Sequence, residues 1–185
     1  MALSNAISIF KREEIDLKTR KIVFLSLMIS ISIVLSIVES SISTLFFAFP
    51  GMKLGLANIA TMVVVFTIGR KEGAIVSVFR IFIVGLIFSG LFTPSFWISF
   101  TGGILALLVL ISLKSSKLSI MTISVLSALM HMVGQIIAAI IIVKTTLLIY
   151  YLPYMILLSI PTGLVTGYLA KRIISGFSEK IELIK

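Results

Sequence analysis

The sequence predicts an all-α integral membrane protein: a bundle of six transmembrane helices with both termini on the cytoplasmic side. Three observations predict this. Of the 185 residues, 59% are hydrophobic and 12% are charged, whereas a soluble domain carries about 25% charged residues. Mean hydropathy is +1.23, and the apolar residues fall in long runs close to the roughly 20 needed for one crossing. The basic residues gather in alternate connections. With both ends inside, Lys11, Arg12, Lys18, Arg20, Lys21, Arg70, Lys71, Lys114, Lys117, Lys171, Arg172, Lys180 and Lys185 share one side, thirteen of the sixteen Lys and Arg. Lys53 and Lys144 fall on the other side, and Arg80 lies within a helix. Six crossings satisfy the positive-inside rule; five or seven break the alternation.

Taken in order, residues 1–21 form a cytoplasmic N-terminus. Leu3, Ile7 and Phe10 sit at helical spacing before a charged run, as in a helix lying on a lipid surface. Residues 22–170 form the transmembrane domain, and 171–185 a cytoplasmic tail. The first crossing covers 22–38 and carries two four-residue serine ladders, Ser26 with Ser30, and Ser32 with Ser36 and Ser40. Small residues at that spacing let helices approach closely. Residues 40–54 form a connection with a short apolar run, too short to span. The second helix covers 55–69 and the third 73–89. The fourth covers 96–113 and the fifth 119–143. The sixth covers 147–170, broken by Pro153 and Pro161. The pair Gly163 and Gly167 reads first as a packing motif within the bundle.

Composition also excludes chemistry. The chain has no cysteine and one histidine, which removes disulfides, thiolates and a His-cluster metal site. No aspartate lies beyond Asp16, and no Walker loop or Gly-x-Ser-x-Gly elbow is present. The expectation is a non-enzyme with no catalytic residues, cofactor or metal. The net charge of +9 is explained by orientation in the membrane and implies no nucleic acid.

Ionisable and amide side chains inside a bilayer are expensive, and so mark function. They are few here: Glu39, Lys53, Asn58, Arg80, His131, Gln135 and Lys144. Most fall in one half of the bilayer, and His131 and Gln135, four apart, share a helix face. A polar cavity open to the outside and floored by Arg80 and His131 accounts for the set. Its positive groups outweigh Glu39, and an Arg fork suits carboxylate or phosphate. Phenylalanines 46, 47, 49, 88, 92 and 96 lie towards the same side. The expected ligand is a small amphipathic anion.

The stretch Phe49-Pro-Gly-Met-Lys-Leu-Gly-Leu-Ala-Asn58 is the most distinctive in the chain. From Pro50 onward it resembles the P-G-x-K-L-G-L-A-N signature of a bacterial membrane family labelled heptaprenyl diphosphate synthase component I, or Gx transporter. Further matches are Thr101-Gly-Gly103, Ala128-Leu-Met-His-Met-Val-Gly-Gln135, Leu148-Ile-Tyr-Tyr-Leu-Pro153 and Pro161-Thr-Gly-Leu-Val-Thr-Gly167. That family is similar in size and topology to the S components of energy-coupling factor (ECF) importers, six-helix substrate-binding subunits of the bacterial cytoplasmic membrane.

The resemblance implies a site near the outer face with residues 40–54 as its lid, and Pro50-Gly51 as the hinge to the second helix. It also implies a transmembrane coupling protein driven by two ATPases, docked on the first helix at Ser26, Ser30, Ser32 and Ser36. The function it implies is uptake of a small amphipathic anion such as a quinone or isoprenoid precursor. The alternative is an accessory membrane subunit in isoprenoid or quinone biosynthesis, or in flavin-linked electron transfer, without transport of its own.

Overall fold

The computed structural model describes residues 2–46, 53 and 55–181, with side chains placed for 17–42, 53 and 55–176. All regular structure among the described residues is helical. The order is α1 Ala2–Phe46, α2 Asn58–Thr67, α3 Arg70–Val84, α4 Pro94–Leu113, α5 Ile120–Val143 and α6 Leu152–Ile181. A π-helical turn, Gly85–Ser89, extends α3, and a 3₁₀ turn, Thr146–Tyr151, leads into α6. Among the described residues, five helical segments are long and apolar enough to cross a membrane: Leu17–Ile42, Arg70–Ser89, Pro94–Leu113, Ile120–Val143 and Thr146–Gly176.

The second helix departs from expectation. It has ten residues, Asn58–Thr67, about 15 Å at 1.5 Å per residue, half a hydrocarbon core. Nine of its ten residues are buried, so protein rather than lipid surrounds it. The first helix is longer than 22–38. It runs unbroken through residues 40–46, which removes the first half of the expected connection. Leu3, Ile7, Phe10 and the phenylalanines at 46, 47 and 49 lie outside the described side chains, and Pro50-Gly51 outside the described residues.

Local chemistry sets the helix starts. Thr93 caps α4 by accepting the Phe96 N–H at 3.3 Å, with Pro94 in the first turn. Ser119 caps α5 by accepting the Thr122 N–H at 3.1 Å. Lys144 closes α5 in the left-handed conformation, φ 55°. The expected breaks at Pro153 and Pro161 do not occur. Pro153 stands in the first turn of α6, where no intrahelical N–H is needed. Around Pro161, hydroxyls of Ser159 and Thr162 bond to the Ile156 and Leu158 carbonyls at 2.8 and 3.0 Å, which steadies the interrupted ladder.

Glycines bring the helices close. A methyl group on Gly134 would lie 2.9 Å from the Gly102 Cα and the Thr101 carbonyl, so α4 and α5 cross backbone to backbone. Likewise Gly163 and Gly167 of α6 face the backbone of α5 at Val125 and Met121; the pair packs α6 onto α5 within one chain. Gly134→Val is expected to destabilise the protein by about 1–3 kcal/mol through overpacking, read as a lower midpoint of thermal unfolding in detergent.

At one end of the bundle, polar bonds tie α1 to α3 and α3 to the connection between α4 and α5. Lys21 pairs with Glu72 at 2.6 Å, and Arg70 donates to Ser115 at 2.5 Å. Two apolar clusters fill the interior. Met28, Met62, Val76, Leu110 and Ile123 belong to one; Ile98, Met132, Ile136, Leu148 and Met155 belong to the other. On α1, α3 and α5 the buried polar residues lie along the helix beside or between these clusters, and a cleft opens there.

Candidate functional site

The short α2 exists because other elements satisfy its beginning. The first N–H groups of a helix have no partner within it, and Ala57 at the N-cap offers no side-chain cap. The N–H groups of Asn58 and Ile59 are met by the Gly55 and Leu56 carbonyls at 3.0 and 3.1 Å. Glu39 of α1, 2% exposed, holds the turn that presents them. Its carboxylate accepts the N–H groups of Gly55, Leu56 and Ala57, the last two at 3.1 and 3.3 Å. A negative charge at a helix N-terminus also suits the helix dipole. Gly55 has φ +93°, a backbone state that glycine reaches without strain, and this turns the chain onto the carboxylate. Ser32 adds a bond to the Ala57 carbonyl at 3.3 Å. No direct salt bridge joins Glu39 to Lys53 or Arg80 among the described residues, although its charge attracts both.

A second clamp comes from α5. Gln135 is fully buried, and donor and acceptor chemistry fixes its amide. The side-chain nitrogen donates to the Lys53 carbonyl at 3.2 Å, and the oxygen accepts the Lys53 N–H at 3.0 Å. The same oxygen accepts from His131 Nε2 at 3.2 Å. The main chain at Lys53 is thus held on α5, while Gly55–Ala57 is held on α1. Arg80 of α3, 5% exposed, donates to Asn58 Oδ1 at 3.1 Å, so α2 and α3 are joined at the same level.

These residues surround a small cleft. Its polar wall holds Glu39, Lys53, Arg80 and His131, with hydroxyls from Ser36, Ser89 and Ser99; Ile81, Val84 and Phe96 form the apolar wall. Phe96 stacks on Phe100 at 5.8 Å between ring centres and touches Phe82 at 5.7 Å. The π-helical turn shifts Gly85 and Ser89 into the lining; such turns recur at functional sites. A Cβ on Gly85 would collide with the Phe96 ring at 2.5 Å, so the aromatic wall depends on that glycine.

Of the seven expected ligand residues, four line the cleft: Glu39, Lys53, Arg80 and His131. Asn58 and Gln135 stand behind them as supports. Lys144 does not belong to the group. It is exposed at the C-cap of α5, where its charge suits the helix terminus. The expected docking set divides as well. Ser26 and Ser30 are exposed, whereas Ser32 and Ser36 are buried inside the bundle, and Ser36 lines the cleft. Phe88 and Phe92 are more than half exposed and leave Phe96 as the described phenylalanine in the lining. Gly85, Ser89 and Ser99 were not foreseen. The only sequence hint was the glycine pair, Gly85 and Gly90, bracketing the third helix's end.

The charge balance follows from this geometry. Glu39 is engaged by three backbone N–H groups, while Lys53 and Arg80 bring two positive charges into a mostly buried space. The Glu39 charge offsets one of the two; the remaining excess of positive charge is costly in a buried space, and an anion in the cleft would relieve it. No curated protein and no solved structure matches the chain. A family model, heptaprenyl diphosphate synthase component I, matches residues 28–173. The match takes in both clamps, the short α2 and every wall of the cleft. By that match over most of its length, the chain belongs to the heptaprenyl diphosphate synthase component I family.

Proposed function

We propose that this protein is a substrate-capturing membrane subunit, similar to the S component of an ECF importer, which binds a small amphipathic anion. One observation carries the reading: Lys53 and Arg80 share a cleft with an aromatic wall, and the nearby carboxylate is engaged elsewhere. The cleft is small and is lined by both charged and apolar side chains. It suits one compact molecule with a charged end and a ring or short apolar portion, such as a quinone or isoprenoid precursor. A long prenyl chain would not fit.

In this reading the chain crosses the bacterial cytoplasmic membrane six times. The short α2 takes the place of the second crossing, and both termini are cytoplasmic. The basic loops tied by Lys21–Glu72 and Arg70–Ser115 form the inner end, and the cleft lies nearer the outer face. Broken helices whose half-helix N-termini line a binding site are a known transporter device. The chain carries no nucleotide-binding loop, so a transmembrane coupling protein and ATPases would supply the energy. Ser26 and Ser30, on the exposed side of α1, are the docking residues that stay available.

The family's name favours a second reading, an accessory membrane subunit of prenyl diphosphate synthesis without transport of its own. Mild-detergent purification from native membranes separates the two. The import reading expects a membrane coupling protein and two ATPases at near-equal amounts, with ATP-dependent uptake by the reconstituted complex. Recovery of a prenyl-chain synthase in their place, with no uptake, would contradict it.

A further inference from the structure

Nine serines and threonines are buried among the described residues, and seven of them place the hydroxyl on a carbonyl or on another hydroxyl. The other two are Thr61 of α2 and Ser77 of α3, each 1% exposed. Both oxygens are sealed inside the protein and have no hydrogen-bond partner among the described residues. Buried polar atoms are normally satisfied, and each exception needs a reason.

The two exceptions fall opposite one another. Only Ile68 and Gly69 separate α2 from α3, and the helices run antiparallel. Arg80 donates to Asn58 at 3.1 Å, and a Cβ on Gly73 would lie 3.3 Å from the Val65 Cα. Residues 58, 61 and 65 share one face of α2, as 73, 77 and 80 share one face of α3. The register that opposes Asn58 to Arg80 and Val65 to Gly73 therefore opposes Thr61 to Ser77. At Gly73 the backbones nearly touch, whereas at Arg80 two side chains span the interval. Between these levels stand two short side chains whose oxygens reach neither each other nor a carbonyl.

From this geometry we infer that Thr61 and Ser77 form an internal binding site for one water molecule, which bridges α2 and α3 one turn from Arg80. Each hydroxyl can both donate and accept, and a buried water makes about two to four hydrogen bonds. The occupant is neutral. Met62, Val64 and Val76 are buried on the same two helices, and an ion held there by hydroxyls alone would be costly. The bridge fastens α2 to α3 beyond the Asn58–Arg80 bond, and it does so whatever the cleft binds.

The test is a mutant cycle in the full chain, Thr61→Val and Ser77→Ala, alone and together, with thermal unfolding followed in detergent. Valine keeps the shape of threonine and removes only the hydroxyl. With a bridging water, each single substitution is expected to lower the midpoint by about 3 °C. The double variant should lose about as much as one single, because the same bridge is lost either way. A midpoint unchanged or raised by Thr61→Val, or losses that add in the double variant, overturns the inference. A crystal structure of the unmutated protein at a resolution that shows water decides the question even if a variant fails to fold. The expected result is one water within about 2.7–3.2 Å of both oxygens. Hydroxyls bonded directly to each other or to the carbonyls of their own helices, with no water between them, overturn it.

Discussion

Glu39→Ala is expected to be the most damaging single substitution in the membrane core, removing both stability and binding. The carboxylate is 2% exposed and accepts three backbone N–H groups at the start of α2. Hydrogen bonds to a charged group contribute about 1.5–3 kcal/mol each, and buried donors left without partners cost more than their bonds contributed. A loss of about 3 kcal/mol or more follows even if water reaches one of the three. Glu39→Gln keeps the shape but offers one acceptor oxygen in place of two, so roughly half that loss is expected. Thermal unfolding followed by circular dichroism in detergent gives the order wild type, Gln, Ala. Near wild-type stability in the alanine variant would show that α2 does not depend on the cap. Because Gly55 and Ala57, which line the cleft, are held by this carboxylate, that part of the cleft wall should be lost with it.

Arg80→Ala is the second large effect, and its signature differs. The guanidinium lines the cleft and donates to Asn58 at 3.1 Å. Its removal takes away the fork that would hold an anion, with an expected loss of about 100-fold or more in affinity, or roughly 3 kcal/mol. Stability should fall less, by about 1–2 kcal/mol, from the orphaned Asn58 oxygen. Arg80→Lys keeps the charge but not the planar fork, so it should recover part of the binding. A ratio of affinity loss to stability loss well above that of Glu39→Ala identifies Arg80 as a group that contacts the ligand rather than a support.

Much of this was legible in the sequence because the physics is one-dimensional. Apolar runs near crossing length located five of the helical segments, and costly polar residues inside them pointed to Arg80 and His131. The second helix was misjudged because the run from Gly55 to Gly69 is apolar except at Asn58, Thr61 and Thr67, and composition cannot tell where a chain turns from loop to helix. That boundary is set at Gly55 by a positive φ and by Glu39, a partner sixteen residues away. An isolated acid near a lysine reads as an ion pair from sequence, and only the fold shows it facing backbone N–H groups. Lys144 was grouped with the ligand residues because it follows the fifth helix, but a place in a connection does not give direction around the bundle. The serines were grouped by ladder spacing alone. Six residues separate Ser26 from Ser32, about 120° around a helix, and that angle puts one ladder outside and the other within. The π-helical turn has no sequence pattern of its own, so Ser89 and Gly85 were out of reach.

The central claim, that this cleft holds a small anion through Arg80, is tested most directly by small-molecule mass spectrometry. Unmutated and Arg80→Ala protein would be purified side by side from the same membranes and extracted. The expected result is an anionic compound of modest mass, near one per chain in the unmutated protein and strongly depleted in the variant. Identical extracts containing only membrane lipid would contradict it.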